Sequence, residues 1–149
     1  MRLTALFAAL LLAGCAPSPV PPMPQQTSAG DPGYEEAVQL LNQLNREAET
    51  LLRSGKRDQA AVLVTKGQPM IQRLISVRRP TLAALEAVSE LDELYGRLLL
   101  SNRHYGWARL QFQKNLARWT NWQPQTAETA RRRKLAIAEI AECDRHILE

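Results

Sequence analysis

The residue best placed for covalent chemistry is Cys15, which lies at the end of an apolar leader. Met1 and Arg2 give the leader a positive start, and positions 3–13 are apolar or small except for Thr4. This segment is too short to cross a bilayer as a helix, which takes roughly 20 residues. Its composition is typical of a secretory signal peptide. Cysteine is the only side chain whose thiolate can form a thioether, so Cys15 is a candidate for covalent modification.

The segment Leu12-Ala13-Gly14-Cys15 resembles the lipobox of bacterial lipoproteins, in which a leucine and two small residues precede the cysteine. In that family the thiol receives a diacylglycerol, the leader is cut before the cysteine, and the new amino terminus is often acylated. The resemblance implies that residues 1–14 are removed and that Cys15 anchors the chain to a membrane. Two or three chains, at about 0.8 kcal/mol per buried methylene, would make the attachment long-lived. The alternative is an ordinary signal peptide with a chance cysteine.

The lipoprotein resemblance also predicts the compartment. Ala16 follows the cysteine, and in lipoproteins of the common Gram-negative type a residue other than aspartate there is compatible with transfer to the outer membrane. We therefore expect a lipid-anchored protein of the bacterial cell envelope, facing the periplasm if the source is Gram-negative. The rule varies between bacteria, so the choice between inner and outer membrane stays open.

Residues 15–32 form a proline-rich linker after the cysteine. Six of the nine prolines in the chain lie here, namely Pro17, Pro19, Pro21, Pro22, Pro24 and Pro32. Proline cannot donate a backbone hydrogen bond and favours extended conformations. We interpret the segment as a semi-rigid stalk, which at about 3.1 Å per residue would reach up to roughly 50 Å.

The composition is that of one ordinary globular domain, with 149 residues, 45% hydrophobic and 23% charged. A net charge of +4 would suggest nucleic acid as a partner for a cytoplasmic protein. The predicted export argues against nucleic acid as a partner. The surplus positive charge then gives a weak attraction to anionic lipid or envelope polymers, or has no role. If Cys15 carries lipid, Cys143 is the one remaining thiol, so no intramolecular disulfide is expected. An intermolecular disulfide through Cys143 stays open.

The sequence contains no recognisable catalytic or metal-binding arrangement. There is no nucleophile with a placed base, no glycine-rich phosphate loop and no spacing typical of metal ligands. His104 and His146 are the only histidines, too few to complete a metal site. We expect neither catalysis nor a metal or cofactor.

From residue 33 to residue 149 apolar residues recur at intervals of three and four, which is the period of an amphipathic helix. Breaks at Ser54-Gly55, Pro80, 101–104 and 120–124 divide this region into five helices. Because the connections are short, successive helices must turn back on each other. The predicted fold is therefore all-α, built from antiparallel helical hairpins.

Three features refine the helix boundaries. Asp31-Pro32 is typical of a helix cap followed by proline in the first turn. Pro80 is placed at the start of the third helix. Pro69 falls inside the second helix and predicts a kink there, because one backbone hydrogen bond must be lost.

The first two helices resemble a tetratricopeptide repeat. The matching residues are small Ala48, larger Leu51, turn Gly55, small Ala60, bulky Val64 and small Gly67, and a second copy follows as Gly96, Leu99, Tyr105, Ala108 and Phe112. Ala60 and Ala108 are 48 positions apart, whereas the family repeats every 34 residues. The resemblance implies a tetratricopeptide-like domain over 33–149, with the fifth helix capping two hairpins. The alternative is a generic antiparallel helical bundle.

The resemblance also implies a ligand groove, because the family binds ligands along the first helix of each hairpin. The matching positions are Asn42, Asn45, Glu49, Arg53, Glu90, Glu93 and Arg97. The family's basic clamp for carboxylate tails is missing here. Glu90 and Glu93 instead favour a partner with basic or amide groups, although such charges can also be a solvated helix face.

Two further features are candidate contact surfaces. The first feature is a group of three tryptophans, Trp107, Trp119 and Trp122. Such a group is typical of a protein interface, or of side chains that pack the end of a helical hairpin. The run 131–134 is the densest positive patch, but on a helix its charges point around most of the circumference. The leading interpretation is a membrane-anchored protein interaction module or adaptor, whose partner is an unidentified envelope protein or peptide. The alternative is a structural lipoprotein that associates with itself.

Overall fold

A computed structural model describes residues 29–148, and this part of the chain contains five α-helices and no strand. The helices are α1 (Pro32–Arg53), α2 (Arg57–Ile75), α3 (Leu82–Ser101), α4 (Tyr105–Asn121) and α5 (Ala127–Leu148). The predicted all-α fold is confirmed. The predicted leader and Cys15 lie outside the described residues, as does most of the predicted linker.

Helix α1 begins as the sequence predicts. Asp31 is its N-cap and accepts a hydrogen bond on Oδ1 from the Gly33 amide at 3.1 Å, and Pro32 takes the first helical position. Ala29 already packs against the core, so contacts with the domain start before residue 33.

The turn between α1 and α2 depends on Gly55. Its φ of 74° lies in the left-handed region that suits glycine, and its amide donates to the Leu52 carbonyl oxygen at 3.0 Å. The next amide, of Lys56, donates to the Leu51 carbonyl at 2.9 Å. These bonds satisfy the last carbonyls of α1 and reverse the chain direction.

Helix α3 starts two residues later than predicted, at Leu82. Thr81 caps it, because the Thr81 hydroxyl accepts from the Ala84 amide at 3.2 Å. Pro80 therefore lies before the cap and not in the first turn. The threonine hydroxyl satisfies a free amide of the first turn, which proline could not do.

Helix α2 runs through Pro69.

No helix among residues 29–148 is both long enough and apolar enough to span a membrane.

The helices form antiparallel hairpins. The Tyr34 hydroxyl, near the start of α1, donates to the Leu74 carbonyl near the end of α2 at 3.0 Å. Trp119, near the end of α4, donates from Nε1 to the Ser89 hydroxyl in the first half of α3 at 2.8 Å. Helix α5 packs on α4, while α1 and α2 both contact α3.

The small residues noted in the sequence lie where helices approach closely. A Cβ on Gly67 would lie 2.9 Å from a methyl of Leu91, and a Cβ on Gly96 would lie 2.5 Å from Phe112 Cε1. Ala48, Ala60 and Ala108 are fully buried. Close packing of α2 with α3 at Gly67 and of α3 with α4 at Gly96 therefore requires a small residue at each position.

Candidate binding groove

A cavity of about 490 Å³ opens between α1, α3 and α5, and we call it the groove. Six of the seven predicted groove residues line it, namely Asn45, Glu49, Arg53, Glu90, Glu93 and Arg97. Asn42 is not among the lining residues. The remaining lining residues are Arg46, Thr50, Leu94, Arg131, Arg132 and Leu135.

Helix geometry explains why these residues converge. Asn45, Glu49 and Arg53 are spaced by four along α1, so they share one face. Glu90, Glu93 and Arg97 share a face of α3 for the same reason. Since α1 and α3 pack side by side, the two polar faces meet along one surface, and α5 closes its far side.

Asn45 differs from the expected solvent-exposed groove residue. Only 3% of it is exposed, and its Nδ2 donates to the Ala87 carbonyl of α3 at 2.8 Å. Its Oδ1 is buried and has no hydrogen-bond partner. Asn45 therefore ties α1 to α3 at the base of the groove and leaves one buried acceptor unsatisfied there.

Glu49 bridges two arginines on different helices. Its Oε1 lies 2.7 Å from Arg53 Nε, and its Oε2 lies 2.6 Å from Arg97 Nη1. Burial raises the pKa of Glu49, but hydrogen bonds from Arg53 and Arg97 outweigh it, so the pKa of this carboxyl lies below its ordinary value. Glu49 therefore stays ionised and neutralises part of the positive charge in the groove.

Arg132 anchors α5 to α3. Its Nε lies 2.7 Å from a Glu128 oxygen, its Nη2 lies 3.3 Å from Glu90, and its guanidinium lies 5.2 Å from the centre of the Trp119 ring. The Arg132 side chain is only 15% exposed. This arginine is therefore a structural part of the groove wall.

Arg131 lies beside Arg132 and shares the same carboxylate, with its Nη2 2.7 Å from Glu128 Oε1. Hydrogen bonds from Arg131, together with Arg132, lower the pKa of Glu128 to about 2, against a smaller effect of burial. Both arginines are thus paired within the domain.

Glu93 lines the groove, whereas Glu139 of α5 is not among the lining residues. Within residues 29–148 neither one makes a hydrogen bond or an ion pair. Burial raises the pKa of Glu93, opposed by Arg97 and assisted by Glu49. Burial also raises the pKa of Glu139 to about 8, with a further contribution from Glu93 and opposition from Arg97.

The contribution of α5 to the groove was missed in the sequence. Arg131, Arg132 and Leu135 of α5 line the groove. Leu135 lies four residues after Arg131 and three after Arg132, so the three side chains share one face of the helix. In the tetratricopeptide family the first helix of each hairpin lines the groove. If α5 is treated as the first helix of a third hairpin, the same rule predicts that it lines the groove too. The four consecutive basic residues 131–134 point in several directions around the helix, so the sequence does not indicate which of them share a face with Leu135.

Trp107, Trp119 and Cys143 are not among the residues that line the groove. Trp119 is buried and its Nε1 donates to the Ser89 hydroxyl at 2.8 Å, which agrees with a role in packing, whereas Trp107 is exposed. Cys143 is fully buried beside Phe112, and burial raises the pKa of its thiol. Among the described residues no group of three or more histidines, cysteines or carboxylates is arranged to hold a metal.

Comparison of the chain with known protein families, with curated proteins and with solved structures found no match.

Proposed function

We propose that this protein is a lipid-anchored interaction module of the bacterial envelope, and that the groove between α1, α3 and α5 binds a segment of a partner protein. The observation that carries the proposal is the convergence of the polar faces of three helices on one cavity of about 490 Å³. A cavity of this size lies within the usual range for binding sites and accommodates one or a few side chains.

The make-up of the groove supports binding more than catalysis. Its walls are held by ion pairs between helices, such as Arg97 with Glu49 and Arg132 with Glu90. These pairs position the walls before any ligand arrives, and such preorganisation lowers the entropy cost of binding. A tetratricopeptide-like mode, with the partner segment lying along the first helices, is part of the same proposal.

Site-specific photocrosslinking in cells tests the groove. A photoreactive amino acid at Arg53, whose side chain is 77% exposed at the groove, should give a discrete crosslinked product. The matched position is Lys66, an exposed residue of α2 outside the groove. The product from position 53 should disappear when groove residue Arg97 is also changed to glutamate. Equal products from positions 53 and 66, or none from position 53, would contradict the proposal.

The membrane anchor is tested separately with a labelled fatty acid. We expect label on the wild-type chain and none on a Cys15→Ser variant, because the serine hydroxyl cannot form the thioether. The variant should also move from the membrane fraction to the soluble fraction. Label that persists in Cys15→Ser, or that is missing from the wild type, would rule out the anchor.

Self-association is a second candidate function, and the exposed face of α4 favours it. Trp107 is 65% exposed and Leu110 is 46% exposed, one helical turn apart. Large apolar residues grouped on a surface are typical of protein contacts. Sedimentation of the full chain in mild detergent should show a dimer that a Trp107→Ser variant loses, if this surface pairs two copies.

A further inference from the structure

Cationic side chains outnumber anionic ones in the wall of the groove. Five of its twelve lining residues are arginines and three are glutamates. The arginines come from all three helices, namely Arg46 and Arg53 of α1, Arg97 of α3, and Arg131 and Arg132 of α5. A planar guanidinium offers five N–H donors and matches the two oxygens of a carboxylate. The lining residues therefore carry a surplus of positive charge and of hydrogen-bond donors.

The surplus lies on the side of the groove formed by α1 and α3. The two arginines of α5 are compensated within the domain by Glu128 and Glu90. Arg53 and Arg97, in contrast, share the single carboxylate of Glu49, whose two oxygens are occupied at 2.7 Å and 2.6 Å. Because Glu49 has no oxygen left, its two arginines have one positive charge more than they have partners for.

Arg46 adds a second uncompensated charge. Its side chain is exposed, lines the groove, and makes no hydrogen bond or ion pair with residues 29–148. Arg46, Glu49 and Arg53 are spaced by three and four along α1, so they share one face of the helix. Arg53 contacts Glu49 through Nε alone and its side chain is 77% exposed, so both of its Nη groups remain as donors. The donors of Arg46 and Arg53 are therefore accessible to a ligand in the groove.

Glu93 is the lining carboxyl that opposes an anion at this place. It lies one helical turn before Arg97 on α3 and is half-buried. Burial raises the pKa of Glu93, with Arg97 and Arg132 opposing the rise and Glu49 and Glu90 assisting it. A bound anion favours the protonated form of Glu93 further, so the repulsion is reduced when the ligand is present.

We infer that the groove binds an acidic side chain, an aspartate or glutamate of the partner segment, between Arg46 and Arg53 on α1 and Arg97 on α3. This inference rests on the proposed function, since it names the chemistry of the segment that the groove would hold. A carboxylate only accepts hydrogen bonds, and it matches guanidinium donors that lack partners. The inference differs from the basic or amide partner expected from Glu90 and Glu93, because the sequence did not place Arg46 in the groove.

Apolar side chains strengthen such a contact. Leu94 and Leu135 line the groove beside the charged groups. Charged hydrogen bonds next to apolar walls are screened less than hydrogen bonds in open water. An acidic side chain held here therefore gains more than it would from arginines on a flat, exposed surface.

The test uses capped tripeptides and the full chain in mild detergent, with binding measured by calorimetry and NMR. We expect Gly-Glu-Gly to bind about tenfold more tightly than Gly-Gln-Gly, which has nearly the same shape without the charge. This preference should fall about fivefold in Arg46→Gln and in Arg53→Gln. It should be kept in Arg78→Gln, which changes an exposed arginine outside the groove.

Two features of the variants keep the test independent of folding. Arg46→Gln removes no side-chain contact within residues 29–148, so its stability should match that of the wild type. Glu93→Gln should change binding in the opposite direction and tighten the glutamate peptide, because it removes the opposing carboxyl. Circular dichroism of each variant checks that it folds.

Several results would overturn the inference. These are equal binding of the glutamate and glutamine peptides, tighter binding of Gly-Lys-Gly, no binding of the glutamate peptide, or an unchanged preference in both arginine variants. The outcome is separable from that of the proposed function. A crosslinked partner segment without aspartate or glutamate would leave the groove proposal standing and refute the acidic side chain. Selective binding of the glutamate peptide with no crosslinked partner in cells would do the reverse.

Discussion

Replacing Asp92 by alanine removes the carboxylate that Arg118 contacts between α3 and α4. The two groups lie 2.9 Å apart, and their side chains are 3% and 13% exposed. Asn115 joins this contact, because it accepts from Arg118 and donates to the Ser89 carbonyl at 2.9 Å. The substitution therefore leaves a buried guanidinium with one neutral partner and no counter-charge.

The expected loss of stability follows from this burial. Breaking a buried ion pair by removing one partner costs about 3–5 kcal/mol. The lower end applies here, since Arg118 keeps its contact with Asn115. Alanine is also the better helix former than aspartate, by about 0.6 kcal/mol. We therefore expect Asp92→Ala to lower the free energy of unfolding by about 2–3 kcal/mol, which corresponds to a fall in Tm of about 10 °C.

The matched control is Asp144→Ala. Asp144 contacts Arg109 at 2.6 Å, but the side chains are 42% and 37% exposed. An exposed pair contributes at most about 1 kcal/mol, and the gain in helix propensity is the same, so the two effects nearly cancel. Chemical denaturation of both variants gives the two free energies. A loss below 1 kcal/mol for Asp92→Ala, or equal losses for both variants, would refute the reasoning from burial.

Two further changes are expected to alter stability. Glu139→Gln should raise the free energy of unfolding at pH 8–9 and leave it nearly unchanged at pH 3.5. The raised pKa in the folded state means that ionisation of Glu139 opposes folding as the pH rises from 4.5 through about 8. Denaturation curves at the two pH values measure this, and an equal effect at both would contradict it. Gly96→Ala should cost about 1–3 kcal/mol because the added Cβ meets the Phe112 ring at 2.5 Å, whereas Gly106→Ala, with nothing within 4 Å, should be neutral or slightly stabilising. Thermal melting compares this second pair, and a Gly96→Ala variant as stable as Gly106→Ala would argue against close packing.

The groove tests and the stability tests examine different parts of the same helix. Asp92 faces α4, whereas Glu90 and Glu93 line the groove on the other side of α3. Loss of the crosslinked product in Arg97→Glu with unchanged stability would therefore separate the chemistry of the groove from the packing that holds α3 in place.

The sequence by itself determined the five helices and most of their ends. Periodicity of three and four, the Asp31 cap and the glycine turn at Gly55 are local signals, and each depends only on neighbouring residues. The start of α3 was the exception. Pro80 and Thr81 both suit a helix start, and the choice of Thr81 depends on which side chain reaches a free amide.

The sequence also indicated which residues of α1 and α3 would share a face, because the spacing of residues along a helix determines the direction in which each side chain points. It did not determine what lies opposite that face. The placement of α5 across the groove, and with it the contact of Arg132 with Glu90, depends on how α5 packs against α4. Such a contact joins residues 42 positions apart, and helical periodicity carries no information at that distance.

Burial was decided by the tertiary structure alone. Asn45 and Glu93 are ordinary polar residues in the sequence, yet one is closed to water and the other is half-buried without a partner. The pKa of about 8 for Glu139 arises because neighbouring helices exclude water and bring Glu93 close to it. Desolvation acts through three-dimensional packing, so no pattern along the chain could have predicted it.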